Sequence, residues 1–157
     1  MKTSNLQLDN YFIKTFSFSV NDEFEQNKDA ESSSPSFNVK CNYSTVARKK
    51  YQRKCDVEIE LTEGAPNSFP YRFSIALYGI FTVNKELDAE TGEKLFRVNA
   101  PALLYSAARE IIFNMTSHTE HQAFLLPSVT FIDEDLTAKK EEDKTLKKSG
   151  KQTKTEK

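Results

Sequence analysis

Residues Asn99–Phe131 read NAPALLYSAAREIIFNMTSHTEHQAFLLPSVTF, and this stretch decides the fold. Its first half has the strongest helical pattern in the chain, because apolar residues recur at helix spacing: Leu104, Ala107, Ala108, Ile111, Ile112 and Met115. Asn99 and Pro101 form a start signal, which predicts a helix of about seventeen residues. An apolar run, Ala123–Leu126, follows and is stopped by Pro127. A chain that follows its best helix with such a run must either bury the run or use it as a binding surface.

Upstream of the helix, apolar and polar residues alternate in four stretches, which is typical of half-buried strands. The stretches begin at Tyr11, Phe37, Cys55 and Tyr71. The last is apolar on both faces toward its end, which predicts a central strand or one whose second face is covered by another subunit. Four strands followed by a helix predict an α+β fold, a four-stranded antiparallel sheet with one long helix packed on one face.

The second and third stretches predict a hairpin that turns at Arg48. That turn would place Cys41 opposite Cys55 and Lys40 opposite Asp56, with further pairs between Val39 and Val57 and between Phe37 and Ile59. Every apolar residue of the hairpin then lies on one face, and the other face is charged. After the fourth strand, Asn84–Gly92 is predicted as a polar connection with a turn at residues 90–92.

Composition predicts one domain over residues 1–136 and a disordered charged tail over residues 137–157. The tail has eight lysines against four acidic residues, a net charge of +4, so that residues 1–136 carry −5 within a total of −1. This acidic body would repel phosphate, so we expect no nucleic-acid partner. The sequence has neither a long apolar run nor the apolar core of a signal peptide, from which we expect a cytoplasmic protein without membrane insertion.

No catalytic or cofactor motif is present, which predicts a protein that is not an enzyme. His118 and His121 are expected to be polar residues near a helix end rather than metal ligands. Cys41 and Cys55 are expected to be buried thiols. Arg109 and Glu110 are expected to form an exposed or interface ion pair.

Several blocks of the sequence resemble the SecB family of export chaperones. In order they are Tyr78–Phe81, Ala100–Tyr105, Ala108–Glu110, Met115–Ser117 and Leu125–Phe131. The resemblance covers about a third of the chain specifically, and the upstream strands match in pattern only. It implies an ATP-independent holdase that assembles as a homotetramer, a dimer of dimers, and binds unfolded preproteins in apolar grooves.

The resemblance also implies roles for named residues. The client groove would include Phe24, Tyr71, Phe124, Leu125 and Leu126. The seam between subunits would include Tyr78, Ile80, Leu104, Ala108, Ile111, Ile112 and Met115. The apolar helix, the two-faced strand and the run after the helix favour the same interpretation, because a monomer leaves them incompletely covered.

One departure from the family concerns the charged face of the sheet. Members that serve the export ATPase SecA present acidic side chains there, and three of those positions correspond to Thr15, Ser19 and Ser74. The residues Asp56, Glu58 and Glu60 still make this face acidic, so binding of SecA stays open. The alternative is a SecB-like chaperone dedicated to one client, such as the antitoxin of a toxin–antitoxin pair.

Overall fold

Four alternating stretches form four antiparallel strands, and a single long helix covers one face of the sheet they make. The computed structural model describes residues 3–24, 35–62 and 69–132. The strands are β1 (Leu6–Val20), β2 (Phe37–Thr45), β3 (Gln52–Leu61) and β4 (Tyr71–Val83), and the helix is α1 (Ala89–Thr116). This architecture confirms the predicted fold class. The predicted tail over residues 137–157 lies outside the described residues.

The sheet order is β1-β4-β3-β2, so strand β4 lies between two neighbours. This confirms the central position that its apolar residues on both faces predict. Its covered face packs under the helix and supplies six of the seventeen buried apolar residues of the described core: Tyr71, Phe73, Ile75, Leu77, Phe81 and Val83. The side chains of the opposite, open face are only partly buried, Tyr78 and Ile80 among them. The difference arises because the single helix covers only one face of the sheet.

The β2–β3 hairpin has a register that differs by two residues from the predicted one. Cys41 lies opposite Val57, and Tyr43 lies opposite Cys55. The predicted pairs are therefore wrong, and the observed ones include Phe37 with Leu61, Val39 with Ile59 and Lys40 with Glu58. The loop is centred on position 49 rather than 48, and Arg48 within it has a φ of 62°. A shift of two residues keeps every side chain on its predicted face, because the strand period is two.

Helix α1 begins at Ala89 rather than Asn99 and has 28 residues instead of about seventeen. Asp88 caps it, since its side-chain Oδ1 accepts a hydrogen bond of 2.9 Å from the amide of Thr91. Gly92 was predicted to lie in a turn, but it lies in the first helical turns, where a Cβ would be 3.0 Å from Val83. The connection between β4 and α1 is therefore shorter than predicted, because the helix continues back through the glycine to the capping aspartate.

Pro101 lies inside the helix instead of at its start. A proline has no amide proton, so the carbonyl of Arg97, four residues earlier, lacks its usual helical donor. The hydroxyl of Tyr43 on strand β2 donates to that carbonyl at 3.1 Å. The tyrosine ring also packs edge-on against Phe96, with ring centroids 5.7 Å apart. Strand β2 therefore supplies the hydrogen bond that the helix lacks.

Candidate functional site

After the helix, the chain turns at residues 117–121 and runs back along the helix as an extended segment, residues 122–132. Side chains beneath the segment hold its backbone. Thr116 Oγ1 accepts from the amide of Phe124 at 2.9 Å. The hydroxyl of Tyr71 donates to the carbonyl of Gln122 at 2.8 Å. Further along, two residues of the helix donate to the carbonyls that follow.

Arg109 Nε donates to the carbonyl of Leu126 at 2.8 Å, and the Tyr105 hydroxyl donates to the carbonyl of Pro127 at 2.8 Å. Arg109 was expected in an ion pair with a carboxylate. Within residues 3–24, 35–62 and 69–132 it forms none, because its guanidinium is directed at this backbone instead. The segment is therefore fixed in place by bonds to its main chain.

An open groove lies where this segment meets the end of the sheet. It has a volume of about 540 Å³, and its lining residues are Phe24, Phe69, Pro70, Tyr71, Glu120, His121, Gln122, Ala123 and Phe124. Phe124 is the centre of an aromatic cluster, 4.8 Å from Phe69 and 5.7 Å from Phe37 between ring centroids. The groove thus has an aromatic wall and a polar rim made by residues 120–122.

Of the five residues predicted for the client groove, three line it: Phe24, Tyr71 and Phe124. The other two lie differently because the segment is extended and its side chains alternate. Leu126 is fully buried and is part of the core, whereas Leu125 points outward and is 52% exposed. Neither lines this groove in the structure.

Among the groove residues that sequence reasoning missed are Phe69 and His121. Phe69 lies between polar turn residues and Pro70, in a stretch interpreted only as a turn, although an aromatic residue beside a proline is a signal for a packed turn. His121 was interpreted as a polar residue near a helix end. It is instead partly buried against the rings of Phe24 and Tyr71, at 5.3 and 6.2 Å between centroids.

The groove contains no cluster of metal ligands. Among the described residues, no group of three or more His, Cys, Asp or Glu side chains could hold a metal ion. The side chain of Glu120 lies near His121, at 3.9 Å between Oε1 and Nε2. The two cysteines lie elsewhere, on the covered face of β2 and β3, and both are free thiols. Burial raises the pKa of Cys55 to about 12 and also raises the pKa of Cys41, which disfavours the reactive thiolate.

The residues predicted for the seam between subunits fall into two groups. Leu104, Ala108 and Ile112 are fully buried against the sheet within one chain. They are core residues with no surface for a partner. Met115 is exposed on the helix, and Ile111, Tyr78 and Ile80 are partly exposed on the helix and the open face.

The open face of the sheet carries the predicted acidic residues Asp56, Glu58 and Glu60 on β3. Asp56 forms an ion pair with Lys54, at 2.9 Å between Oδ1 and Nζ. Ser74 on β4 lies directly beside Glu60, and Thr15 and Ser19 on β1 lie on the same face. On β1 and β4, the part of this face nearest the groove therefore carries these hydroxyl side chains together with the charged residue Arg72, which lies opposite Ser19.

The same open face has an aromatic centre. Phe12 on β1 stacks on Tyr78 of β4, with ring centroids 5.1 Å apart. The Lys54 ammonium lies over the Tyr78 ring, 4.7 Å from its centroid. Two bulges in β1, between Leu8 and Asn10 and between Ile13 and Thr15, flank the strand segment that carries Phe12.

In the parts of the chain that are described, no helix is long and apolar enough to cross a membrane.

The described part of the chain is thus a four-stranded antiparallel sheet covered by one helix, with an open aromatic groove at its end. The family model described as preprotein translocase subunit SecB matches residues 1–141. The chain belongs to the SecB family, which is a family of chaperones, as the sequence predicted.

Two solved structures share the fold. One is the Mycobacterium tuberculosis Rv1957 SecB-like chaperone in complex with a ChAD peptide from the Rv1956 HigA1 antitoxin, with a TM-score of 0.58 and 9% identity over 82% of this chain and 94% of that one. The other is a Streptococcus agalactiae protein of unknown function, with a TM-score of 0.51 and 11% identity over 78% of this chain and 97% of that one. No curated protein matches this sequence.

Proposed function

We propose that this protein is an ATP-independent holdase that binds unfolded polypeptides through the aromatic groove. The observation that carries the proposal is the groove itself, about 540 Å³ of open space with Phe24, Phe69, Tyr71 and Phe124 in its lining. Aromatic walls bind apolar side chains of many shapes, since the attraction is proportional to the apolar area removed from water. Membership of the SecB family supports the same function.

The test measures how far the protein suppresses aggregation of an unfolded client in the absence of ATP. Phe24→Ser removes a lining ring that packs edge-on against His121 and lies outside the buried core, so the core stays intact. We expect about a tenfold weaker client affinity, which corresponds to about 1.4 kcal/mol. Val129→Ser is the matched control, because Val129 is exposed on the same extended segment but outside the groove lining. Equal affinities of both variants and the unchanged protein would place client binding elsewhere.

The further family properties are part of this proposal. We propose assembly as a homotetramer in the cytoplasm and release of clients to the export pathway. Met115, Ile111, Tyr78 and Ile80 are the predicted seam residues that retain exposed surface for such an assembly. Native mass spectrometry with and without an unfolded client tests the assembly and client binding together. A monomer that ignores the client contradicts both.

A chaperone dedicated to one client is the second candidate, and the open face of the sheet favours it. Thr15, Ser19 and Ser74 occupy positions on this face that are expected to be acidic in partners of SecA. The structural neighbour from Mycobacterium tuberculosis is in complex with an antitoxin peptide, which supports this candidate. Titration of purified SecA and of an unfolded antitoxin distinguishes the two. Binding of the antitoxin alone favours the dedicated role, and binding of SecA favours export.

A further inference from the structure

The end of the molecule opposite the groove carries a basic surface, which we call the basic end and define as Lys50, Arg53, Lys85 and Arg97. Arg53 and Arg97 both pair with Glu93, at 3.4 and 3.1 Å, so one carboxylate serves two guanidinium groups. Lys50 and Lys85 are exposed and form no ion pair with any described residue. Lys50, Arg53 and Lys85 line a cavity of about 220 Å³ between the β2–β3 turn and the start of α1, together with the carboxylates of Asp88 and Glu93.

The extended segment after the helix runs toward this basic end. Its carbonyls bind first Arg109 and then Tyr105, so it proceeds from the end of the helix toward its beginning. Phe131 packs on the Tyr105 ring, with centroids 5.9 Å apart. Arg97 lies eight residues before Tyr105, which is roughly 12 Å along the helix.

The residues that follow Ile132 are acidic. The sequence there reads Asp133, Glu134, Asp135. If the chain continues in an extended conformation, three residues span roughly 10 Å, which would bring Glu134 from Phe131 to about the level of Arg97. We propose that the acidic run 133–135 docks on the basic end of its own chain. Direction, chain length and charge all favour this occupant, and the proposal does not depend on the chaperone function.

The test places a nitroxide label on Leu136→Cys in the full-length chain and measures paramagnetic broadening of backbone amide signals. The label is introduced in a background with Cys41→Ser and Cys55→Ala, because Cys41 is only partly buried and would compete for it. We expect strong broadening at Lys50, Tyr51 and Arg53 and none at Lys14, which is on the far edge strand β1. Equal broadening at both edges, or none at the basic end, overturns the proposal.

A charge swap tests whether complementary charge is the cause. Lys50→Glu with Lys85→Glu should abolish the broadening, and both side chains are exposed, so the fold is retained. Adding Asp133→Lys, Glu134→Lys and Asp135→Lys to that variant should restore it. Failure to restore it means that charge does not hold the tail, which overturns the proposal. Broadening that appears only between a labelled chain and a second, isotope-labelled chain shows docking on another copy and also overturns it.

Discussion

The two faces of the sheet both carry apolar residues on the central strand, but they have different structural roles. On β4, the covered face has Phe73, Ile75 and Leu77, all buried under the helix. The open face of the same strand has Ala76, Tyr78 and Ile80, which stay partly exposed. Apolar content is therefore not what separates core from surface here. The position of the helix determines which residues are buried, because only the face that the helix covers is removed from water.

The strongest test of this difference is Leu104→Ala. Leu104 is fully buried between the helix and β4, so truncation should lower the free energy of unfolding by about 2–5 kcal/mol. Leu103→Ala is the matched control, because Leu103 is the neighbouring residue of the same helix and is 43% exposed. We expect the control to change stability by less than about 0.5 kcal/mol. Urea denaturation of both variants measures this, and similar losses would mean that another subunit buries Leu103.

Gly79→Ala tests the packing distance under the helix. A Cβ at this position would lie 2.8 Å from a Phe81 ring carbon and 2.9 Å from Leu104 Cδ2. We expect a loss of about 1–3 kcal/mol from overpacking. In the double variant with Leu104→Ala the loss should be smaller than the sum of the single losses, because one of the two colliding groups is gone. Full additivity in urea denaturation would show that Leu104 is not the obstacle.

Tyr43→Phe removes the hydroxyl that donates to the Arg97 carbonyl and retains the ring that packs on Phe96. Loss of this hydrogen bond should lower the free energy of unfolding by about 1 kcal/mol. In a Pro101→Ala background the helix regains its own donor, so the same substitution should cost less. Thermal denaturation of the four proteins in this cycle measures the coupling. An unchanged cost would show that the tyrosine does not substitute for the missing amide.

Phe12→Ala should have the smallest effect. Its ring stacks on Tyr78 across the open face and is 43% exposed. A cross-strand pair of this kind stabilises by about 0.2–1 kcal/mol. Ser17→Ala, on the same face of β1, is the control and should be nearly neutral. A loss as large as that of Leu104→Ala in urea denaturation would mean that the open face is buried in an assembly.

The strands were predictable because a period of two marks a half-buried strand regardless of the rest of the chain. The helix start was not, because the first turns from Ala89 are largely polar, and Gly92 and Pro101 are usually signs of a break. Both residues are compatible with the helix because of contacts outside it. Val83 packs closely against Gly92, and the Tyr43 hydroxyl donates a hydrogen bond in place of the missing proline amide. The hairpin register failed for a related reason, since the loop conformation at Arg48 is not evident from the alternation.

The residues that line the groove could be predicted only in part. Family resemblance pointed to Phe24, Tyr71 and Phe124, and these three line it. It could not separate Leu125 from Leu126, because their opposite orientations depend on the extended backbone of the segment. His121 was missed because its contacts are with rings far away in sequence.

The four bonds that hold the extended segment all end on its main chain, at Gln122, Phe124, Leu126 and Pro127. Main-chain atoms are the same in every amino acid apart from proline, so these four bonds do not depend on those side chains of the segment that lie outside the core. Ala123, which lines the groove, can therefore be exchanged without removing any of these bonds. The chain thus offers a scaffold for redesigned selectivity, in which the recognition surface is exchanged while its frame stays as it is.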